Sequence, residues 1–487
     1  MNGTEGFKSL IYAVRWTALG HLASRLAIIL ALLCLPSVLA AIIFSEYQYI
    51  PWSMGVIALL LVFAALTWRL PEPHRVFVSE GFVLTSVTFL MIPVLMSIAL
   101  WPASMSFDDL ILETTSAITT TGLSTVAQPE LADRTLLFTR SWMQWYGGLG
   151  IVVFSVTFLM QRSLAVYQLL DIPEGQGIVS AASVYARKVL KLYLVISLLV
   201  IAICWAALGD FYDGLLHGFA AISTGGFSTH GTSMESLPFI AQLGVMLCGL
   251  AGALSFAIYL QLSRGAWHQV LDNQELKFFI GLTLLVCGLL TLVNWGNGAD
   301  LMEAARNAVL MGTSAISTTG FSSMETSQMS NDYMLILIAA MFLGGCLGST
   351  AGGFKIFRVM VVVQVLVTYF RRASAAPHGV IEPRIQGRLL TQDQVQLAML
   401  AGTLFVALTL ISWFMFLMYD YDAVDSLYEV VSAVATVGLS SGITNTELPL
   451  ILKGVLCVDM IAGRVEVLAL LYLFYPGAWF GHRNHEH

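Results

Sequence analysis

The sequence predicts an all-α polytopic membrane protein. Four parallel span, half-helix, span repeats are expected around a pseudo-fourfold axis, with two further spans at the N-terminus. Three observations lead there: the composition, the spacing of apolar runs, and one short motif that occurs four times. Of 487 residues, 57% are hydrophobic and 11% are charged, with a mean hydropathy of +0.80; soluble domains carry about 25% charged residues. A water-soluble fold is excluded, and no polar block is long enough to make a separate soluble domain. The net charge of −7 and pI near 5.7 leave no basic surface for nucleic acid. Cys34, Cys204, Cys248, Cys287, Cys346 and Cys457 all lie in apolar runs without C-x-x-C spacing. They read as packing residues rather than disulfides or metal ligands, and the chain calls for no cofactor.

A hydrocarbon core of ~30 Å takes ~20 apolar residues as a helix. Nine stretches free of Asp, Glu, Lys and Arg come near that length: 26–45, 47–68, 81–107, 141–161, 192–209, 236–263, 278–299, 333–354 and 394–419. A tenth, 454–480, is interrupted by Asp459, Arg464 and Glu466. The first is expected to be a retained anchor rather than a signal peptide. Ten spans put both termini on one face, and 18 of the 23 Lys and Arg fall on that face, among them Arg187, Lys188, Lys191, Arg371, Arg372, Arg384 and Arg388. It is therefore expected to be cytoplasmic. On the other face lie 18 of the 30 acidic residues, including Asp108, Asp109, Glu113, Asp210, Asp213, Asp300, Glu303, Asp420, Asp422, Asp425 and Glu429, clustered just before each of the four copies of the short motif. That surface is expected to attract cations, although acidic residues also serve simply to keep outer loops solvated.

The repeated motif reads A-I-T-T-T-G-L-S-T at 117–125, A-I-S-T-G-G-F-S-T at 221–229, A-I-S-T-T-G-F-S-S at 315–323 and A-V-A-T-V-G-L-S-S at 433–441. One Thr-Thr-Gly is a common packing turn; four copies indicate an internal repeat. Each follows an apolar stretch too short to cross the bilayer, which suggests a re-entrant helix with its partially negative C-terminal end toward the membrane interior. Non-helical backbone at that depth is tolerable where it lines a polar cavity. Two full spans separate successive motifs, so all four enter from the outer face and the repeats are parallel, unlike inverted-repeat transporters. The units are expected at 76–165, 166–265, 266–375 and 376–487, after a two-span unit at 1–75.

The chemistry is that of dehydration. Backbone carbonyls and Thr hydroxyls can replace the water shell of K+, and Gly permits backbone angles that a side chain would strain. The expected K+-channel-like filter comprises Thr120, Thr121, Gly122 and Leu123; Thr224, Gly225, Gly226 and Phe227; Thr318, Thr319, Gly320 and Phe321; and Thr436, Val437, Gly438 and Leu439. Gly225 stands where the other copies have Thr or Val, so the ring is chemically unequal.

Two features are expected below the filter. As one helix, residues 333–370 would extend ~57 Å, nearly twice the hydrocarbon core, so a break is expected near Gly344, Gly345, Gly348, Gly352, Gly353 and Lys355. That segment reads as a flexible intramembrane gate; the alternative is G-x-x-x-G helix packing, and the match to a phosphate-binding loop is incomplete. Arg464 has Met460, Ile461, Val467 and Leu468 as its helical neighbours, so it finds no partner on its own face and reads as a barrier in the pore. The competing reading is a salt bridge to another helix involving Asp459 or Glu466. His482, His485 and His487 read as a solvated tail.

These motifs resemble the membrane subunits of the Trk/Ktr/HKT superfamily of K+ transporters, closest to the TrkH type, over essentially the whole chain. The diagnostic pieces are W-M-Q-W-Y-G-G-L-G-I at 142–151, G-G-F-S-T-H at 225–230, the segment 344–355 and G-R-V-E at 463–466. The fourth motif is also similar to the Ktr type. The resemblance implies that Gly122, Gly226, Gly320 and Gly438 form the filter, that the segment around 348–355 is a gate, and that Arg464 narrows the pore. It further implies a homodimer, a TrkA/KtrA-like cytoplasmic nucleotide-binding ring, and a place in the bacterial inner membrane. K+ uptake through a gated pore is the leading expectation. A Na+- or H+-coupled symporter on the same fold and a non-transporting sensor are the alternatives.

Overall fold

The computed structural model describes residues 13–73, 76–160, 178–325, 329–375 and 381–480. It is mostly helical. Helices α1 (Trp16–Ile43) and α2 (Ile50–Thr67) form an antiparallel pair beside α3 (Val78–Ala99). The half-length α4 (Phe107–Ile118) and the long α5 (Arg134–Met160) follow. Next come α6 (Ile178–Leu208), the short α7 (Phe211–Ile222), α8 (Phe239–Ala253), α9 (Phe256–Ser263) and α10 (Trp267–Leu271). The third portion holds α11 (Gln274–Gly296), α12 (Leu301–Ile316), α13 (Asn331–Leu343) and α14 (Ile356–Ala373). An exposed two-stranded hairpin, β1 (Arg384–Ile385) with β2 (Arg388–Leu389), leads to α15 (Gln392–Leu417) and α16 (Ala423–Val434). The chain ends in α17 (Leu450–Val465), α18 (Val467–Phe474) and α19 (Pro476–Trp479).

Among the described residues, six helices are long and apolar enough to cross a membrane: Trp16–Ile43, Tyr47–Thr67, Val78–Ala99, Ala186–Leu208, Gln274–Gly296 and Gln392–Leu417. Leu32, Leu66, Leu198, Leu284 and Ile411 lie exposed along them, as lipid-facing side chains do. The protein is thus a multi-pass membrane protein. The ten apolar runs of the sequence exceed these six because several are broken. The run 236–263 bends by 91° between α8 and α9, a break that its composition does not announce. The run 333–354 stops as helix at Leu343, where the glycines begin. The run 454–480 breaks at Glu466, which has a φ of 73°. Arg134–Met160 is long, but its first half buries Thr139, Arg140, Ser141 and Gln144.

The four short helices share a start and a stop. Ser106, Asp210, Asp300 and Asp422 sit at their N-caps, each accepting from a backbone N–H of the first turn, for instance Asp210 from Asp213 at 2.9 Å. Before three of the four motifs an acidic residue is therefore a cap, which satisfies orphan N–H groups and complements the helix dipole; before the first the cap is a serine. Buried side chains fall into two main clusters. One joins Met143, Trp145, Tyr193, Phe219 and Val245 around α5–α8. The other joins Met311, Tyr333, Leu337, Phe405, Tyr428 and Leu456 around α12–α17. The tail histidines lie outside the described residues, as do parts of the basic connections 162–191 and 371–393.

Candidate functional site

Each motif begins as the C-terminal stop of its short helix. Thr120 N–H donates to Ala117 O and Thr121 N–H to Ser116 O; the same pair of bonds recurs at Thr224 and Gly225, Thr318 and Thr319, and Thr436 and Val437. This is the Schellman stop, which needs a left-handed residue. Here that residue is a threonine each time, with φ of 54°, 53°, 53° and 50° at Thr120, Thr224, Thr318 and Thr436. A β-branched residue in that region is costly and persists where surroundings over-determine it. Two residues on, Gly122, Gly226, Gly320 and Gly438 have φ of 101°, 74°, 80° and 93°, where glycine alone is unstrained.

The four glycines interlock. A Cβ on Gly122 would overlap Gly225 O, one on Gly226 would overlap Thr319 O, one on Gly320 would overlap Val437 O, and one on Gly438 would overlap Thr121 O. The sequence order 1, 2, 3, 4 therefore closes on itself as a ring of the four glycines and the residue before each, Thr121, Gly225, Thr319 and Val437. Leu123, Phe227, Phe321 and Leu439 are all buried behind it.

A residue four positions before each motif alanine braces the returning backbone. Glu113 Oε1 accepts from Ser124 Oγ at 2.6 Å and Thr125 N at 2.7 Å. Glu429 accepts from Ser440 Oγ, from Ser441 N at 2.8 Å and from Thr444 Oγ1. In the second motif the residue is His217, with Nε2 3.1 Å from Ser228 Oγ. In the third it is Met311, whose sulfur accepts from Ser323 N at 3.4 Å. Charge-assisted hydrogen bonds are stronger than those to thioether sulfur. Arg140 lies 3.6 Å from Glu113 Oε2 and donates to Ser228 O at 2.7 Å, joining the first two turns. Glu429 forms no ion pair among the described residues. In the loop after the first motif, Glu130 accepts from Gly231 N at 2.7 Å, a bond that holds its carboxyl below the usual glutamate range.

The glycine-rich segment lies against the inner ends of the short helices. Thr350 Oγ1 donates to Ile222 O at 2.9 Å, Gly352 N donates to Thr318 Oγ1 at 2.7 Å, and Gly353 N donates to Ala435 O at 3.0 Å. Gly344 and Gly353 have φ of 71° and 74° and pass so closely that a Cβ on either would overlap the other's backbone. Gly345 abuts Ala351, Gly352 abuts Ala435 O, and Gly348 has room around it. Lys355 Nζ turns back to Ala351 O. The break is thus not G-x-x-x-G packing of one continuous helix. From the start of α11, Glu275 Oε1 accepts from Leu347 N at 2.7 Å.

Arg464 is buried, and its Nη1 donates to Thr350 O at 2.7 Å, while Nε and Nη2 find no partner among the described residues. The salt-bridge alternative is not what forms. Glu466 pairs with Arg358, and Asp459 accepts from Ser412 Oγ at 2.7 Å. A small cavity of about 50 Å³ beneath the segment is lined by Gly348, Lys355, Arg358, Arg464 and Glu466, among others. Sequence reasoning missed Glu275, His217 and Met311 and the roles of Thr350 and Gln144; Glu113 and Glu429 were expected among the acidic residues of the outer face, and the structure instead buries both behind the turns. Aligning the motifs four residues further upstream is enough to find the braces; nothing local marks Glu275 or Thr350.

Fold and site together define a polytopic α-helical membrane protein whose four matched backbone turns close one ring. The TrkH family, described as cation transport protein, matches residues 53–294 and 297–479. The chain belongs to that family, which is one of transporters and not of enzymes. It is 29% identical over 483 residues to the Trk system potassium uptake protein TrkI of Halomonas elongata, covering 96% of this chain and 97% of that one. It is 26% identical over 418 residues to TrkG of Escherichia coli K12, covering 82% and 85%. The crystal structure of the potassium transporter TrkH from Vibrio parahaemolyticus superposes with a TM-score of 0.83 at 22% identity, covering 96% of this chain and all of that one, which establishes the shared fold.

Proposed function

We propose that this chain takes up K+ across a bacterial cytoplasmic membrane through a selective, gated pore. The observation that carries this reading is the closed interlock of the four glycine turns. Each turn stands at the C-terminal end of a short helix, where the helix dipole favours a cation, and each offers consecutive carbonyls in place of hydration water. The relatives named potassium uptake proteins support K+ as the ion. The finer architecture follows: four parallel units at 76–165, 166–265, 266–375 and 376–487, with α1 and α2 outside them and both termini cytoplasmic. The segment 344–355 and Arg464 serve as the gate. A homodimer is the assembly, and a TrkA/KtrA-like nucleotide-binding ring docks on the basic connections 162–191 and 371–393.

The test is uptake of a K+ congener into proteoliposomes holding the purified chain, with Na+ and pH gradients varied separately. Saturable uptake that Na+ competes for poorly, and that needs neither gradient, is expected. Strict dependence on a Na+ or pH gradient would establish the coupled symporter instead, and no flux at all would favour the sensor.

A further inference from the structure

Gln144 stands in the W-M-Q-W-Y-G-G run, to which the ring geometry has so far assigned no role. It is fully buried on α5. Its Nε2 donates to the carbonyl of Gly225, and its Oε1 has no partner among the described residues. The amide also fills the space that a side chain at Gly225 would need: a Cβ there would meet Gln144 Oε1 at 2.6 Å and Nε2 at 2.7 Å.

The next quadrant holds the same pair of positions with the volumes exchanged. Gly147 on α5 and Gly252 on α8 are matched, because a Cβ on either would crowd the last-turn carbonyl of its own short helix, Ile118 O or Ile222 O. Three residues before Gly147 stands Gln144; three before Gly252 stands Gly249. A Cβ on Gly249 would meet Thr319 Cγ2 at 2.7 Å, and Thr319 occupies the same motif position as Gly225. One quadrant therefore packs a large side chain over glycine and the next packs glycine over threonine, so each space is filled once, as close packing demands.

Resting on the reading of the four turns as a K+ filter, we infer that Gln144 is a positioning residue of that filter, a surrogate for the side chain that Gly225 lacks. A Gly-Gly peptide is the least restrained backbone in the ring. The Gln144 N–H occupies one lone pair of the Gly225 carbonyl from behind and leaves the other free for the axis. A carbonyl held this way cannot follow a smaller ion inward, so the bond favours K+ over Na+.

The test is the ratio of K+ to Na+ flux in proteoliposomes of full-length variants, with thermal stability in detergent measured alongside. Gln144→Met keeps the length of the side chain and removes the donor, and is expected to lower the ratio about fivefold, the worth of one net hydrogen bond. Gln144→Gly is expected to lower it as well. The exchange Gln144→Gly with Gly225→Thr rebuilds the neighbouring pair and is expected to bring the ratio back to within about twofold of the parent. An unchanged ratio in a normally stable Gln144→Met protein, or an exchange variant no better than Gln144→Gly, overturns the inference. If Gly122→Ser and Gly320→Ser shift the ratio in the same assay, the failure belongs to Gln144 alone; if they do not, the filter reading falls with it.

Discussion

The guanidinium of Arg464 donates to the carbonyl of Thr350 at 2.7 Å, tying the C-terminal end of α17 to the glycine-rich segment. Thr350 is in turn bonded to Ile222 O at the foot of the second short helix. One side chain thus couples a positive charge to the segment lying directly beneath three of the four turns. A unit charge ~6 Å from a passing cation costs roughly 3 kcal/mol at an effective dielectric near 20, enough to slow passage about a hundredfold. Arg464→Ala is therefore expected to raise K+ flux and leave selectivity intact, while Arg464→Lys changes flux little. Asp459 and Glu466 have partners other than Arg464, so no carboxylate is stranded. Flux per folded molecule beside melting temperature is the measurement; lower stability with unaltered flux rejects the barrier.

The glycine ring makes the sharpest demand on single residues. A side chain at Gly122 or Gly320 meets both a positive φ and a neighbouring carbonyl. Gly122→Ser and Gly320→Ser are each expected to weaken discrimination of K+ over Na+, read as competition in a flux assay. Wild-type selectivity in both well-expressed variants would sink the filter assignment.

The braces behind the ring are unequal, with carboxylates at Glu113 and Glu429 and weaker partners at His217 and Met311. Glu429→Gln keeps the shape and replaces the carboxylate with a neutral amide, whose one oxygen serves Ser441 N–H while its NH2 forces the hydroxyls to accept, so the bonds that remain are weaker. It is expected to lower the K+ to Na+ ratio and to cost about 1–3 kcal/mol of stability. Met311→Glu, which gives Ser323 N–H a stronger acceptor, is expected to raise the ratio. Opposite or null effects in both variants would reduce the set to ordinary packing.

Glu275 latches the segment from another direction, and its neighbour Gln274 accepts from Gln386 N at the tip of the exposed hairpin at 2.9 Å. Removing the latch should loosen the segment without touching the ring. Glu275→Ala is expected to raise basal K+ leak several-fold, with selectivity held; a leak no higher than wild type argues that the Leu347 bond carries no gating role.

Regulation is expected to come from another polypeptide, since connections of about thirty residues are too short for a nucleotide-binding domain. The purified chain should show the same flux with and without ATP, ADP or NADH. A full response by the chain alone would overturn this.

Much of this protein was legible along the chain because its determinants are local. The bilayer sets the length of apolar runs, a short helix ending in Thr-x-Gly sets a left-handed turn, and four copies of that turn make a repeat whatever surrounds them. The break at Gly344–Lys355 was legible for the same reason, as the run is too long for one span. Other features lay in contacts between residues far apart in sequence. The 91° bend between α8 and α9 follows a stretch as apolar as any unbroken span, and Phe256 N–H is satisfied there by Gly348 O of the glycine-rich segment. A salt bridge of Arg464 to Asp459 or Glu466 was the competing reading; Ser412 and Arg358 hold those carboxylates instead, and the guanidinium meets Thr350. Gln144 gained its role from the absence of a side chain at Gly225, which lies 81 residues away. Repetition and hydrophobic length are properties of a one-dimensional chain and declare themselves there. Which buried donor meets which acceptor is decided when the packed helices close the ring, because desolvation leaves each polar group only the partners that tertiary structure brings within reach.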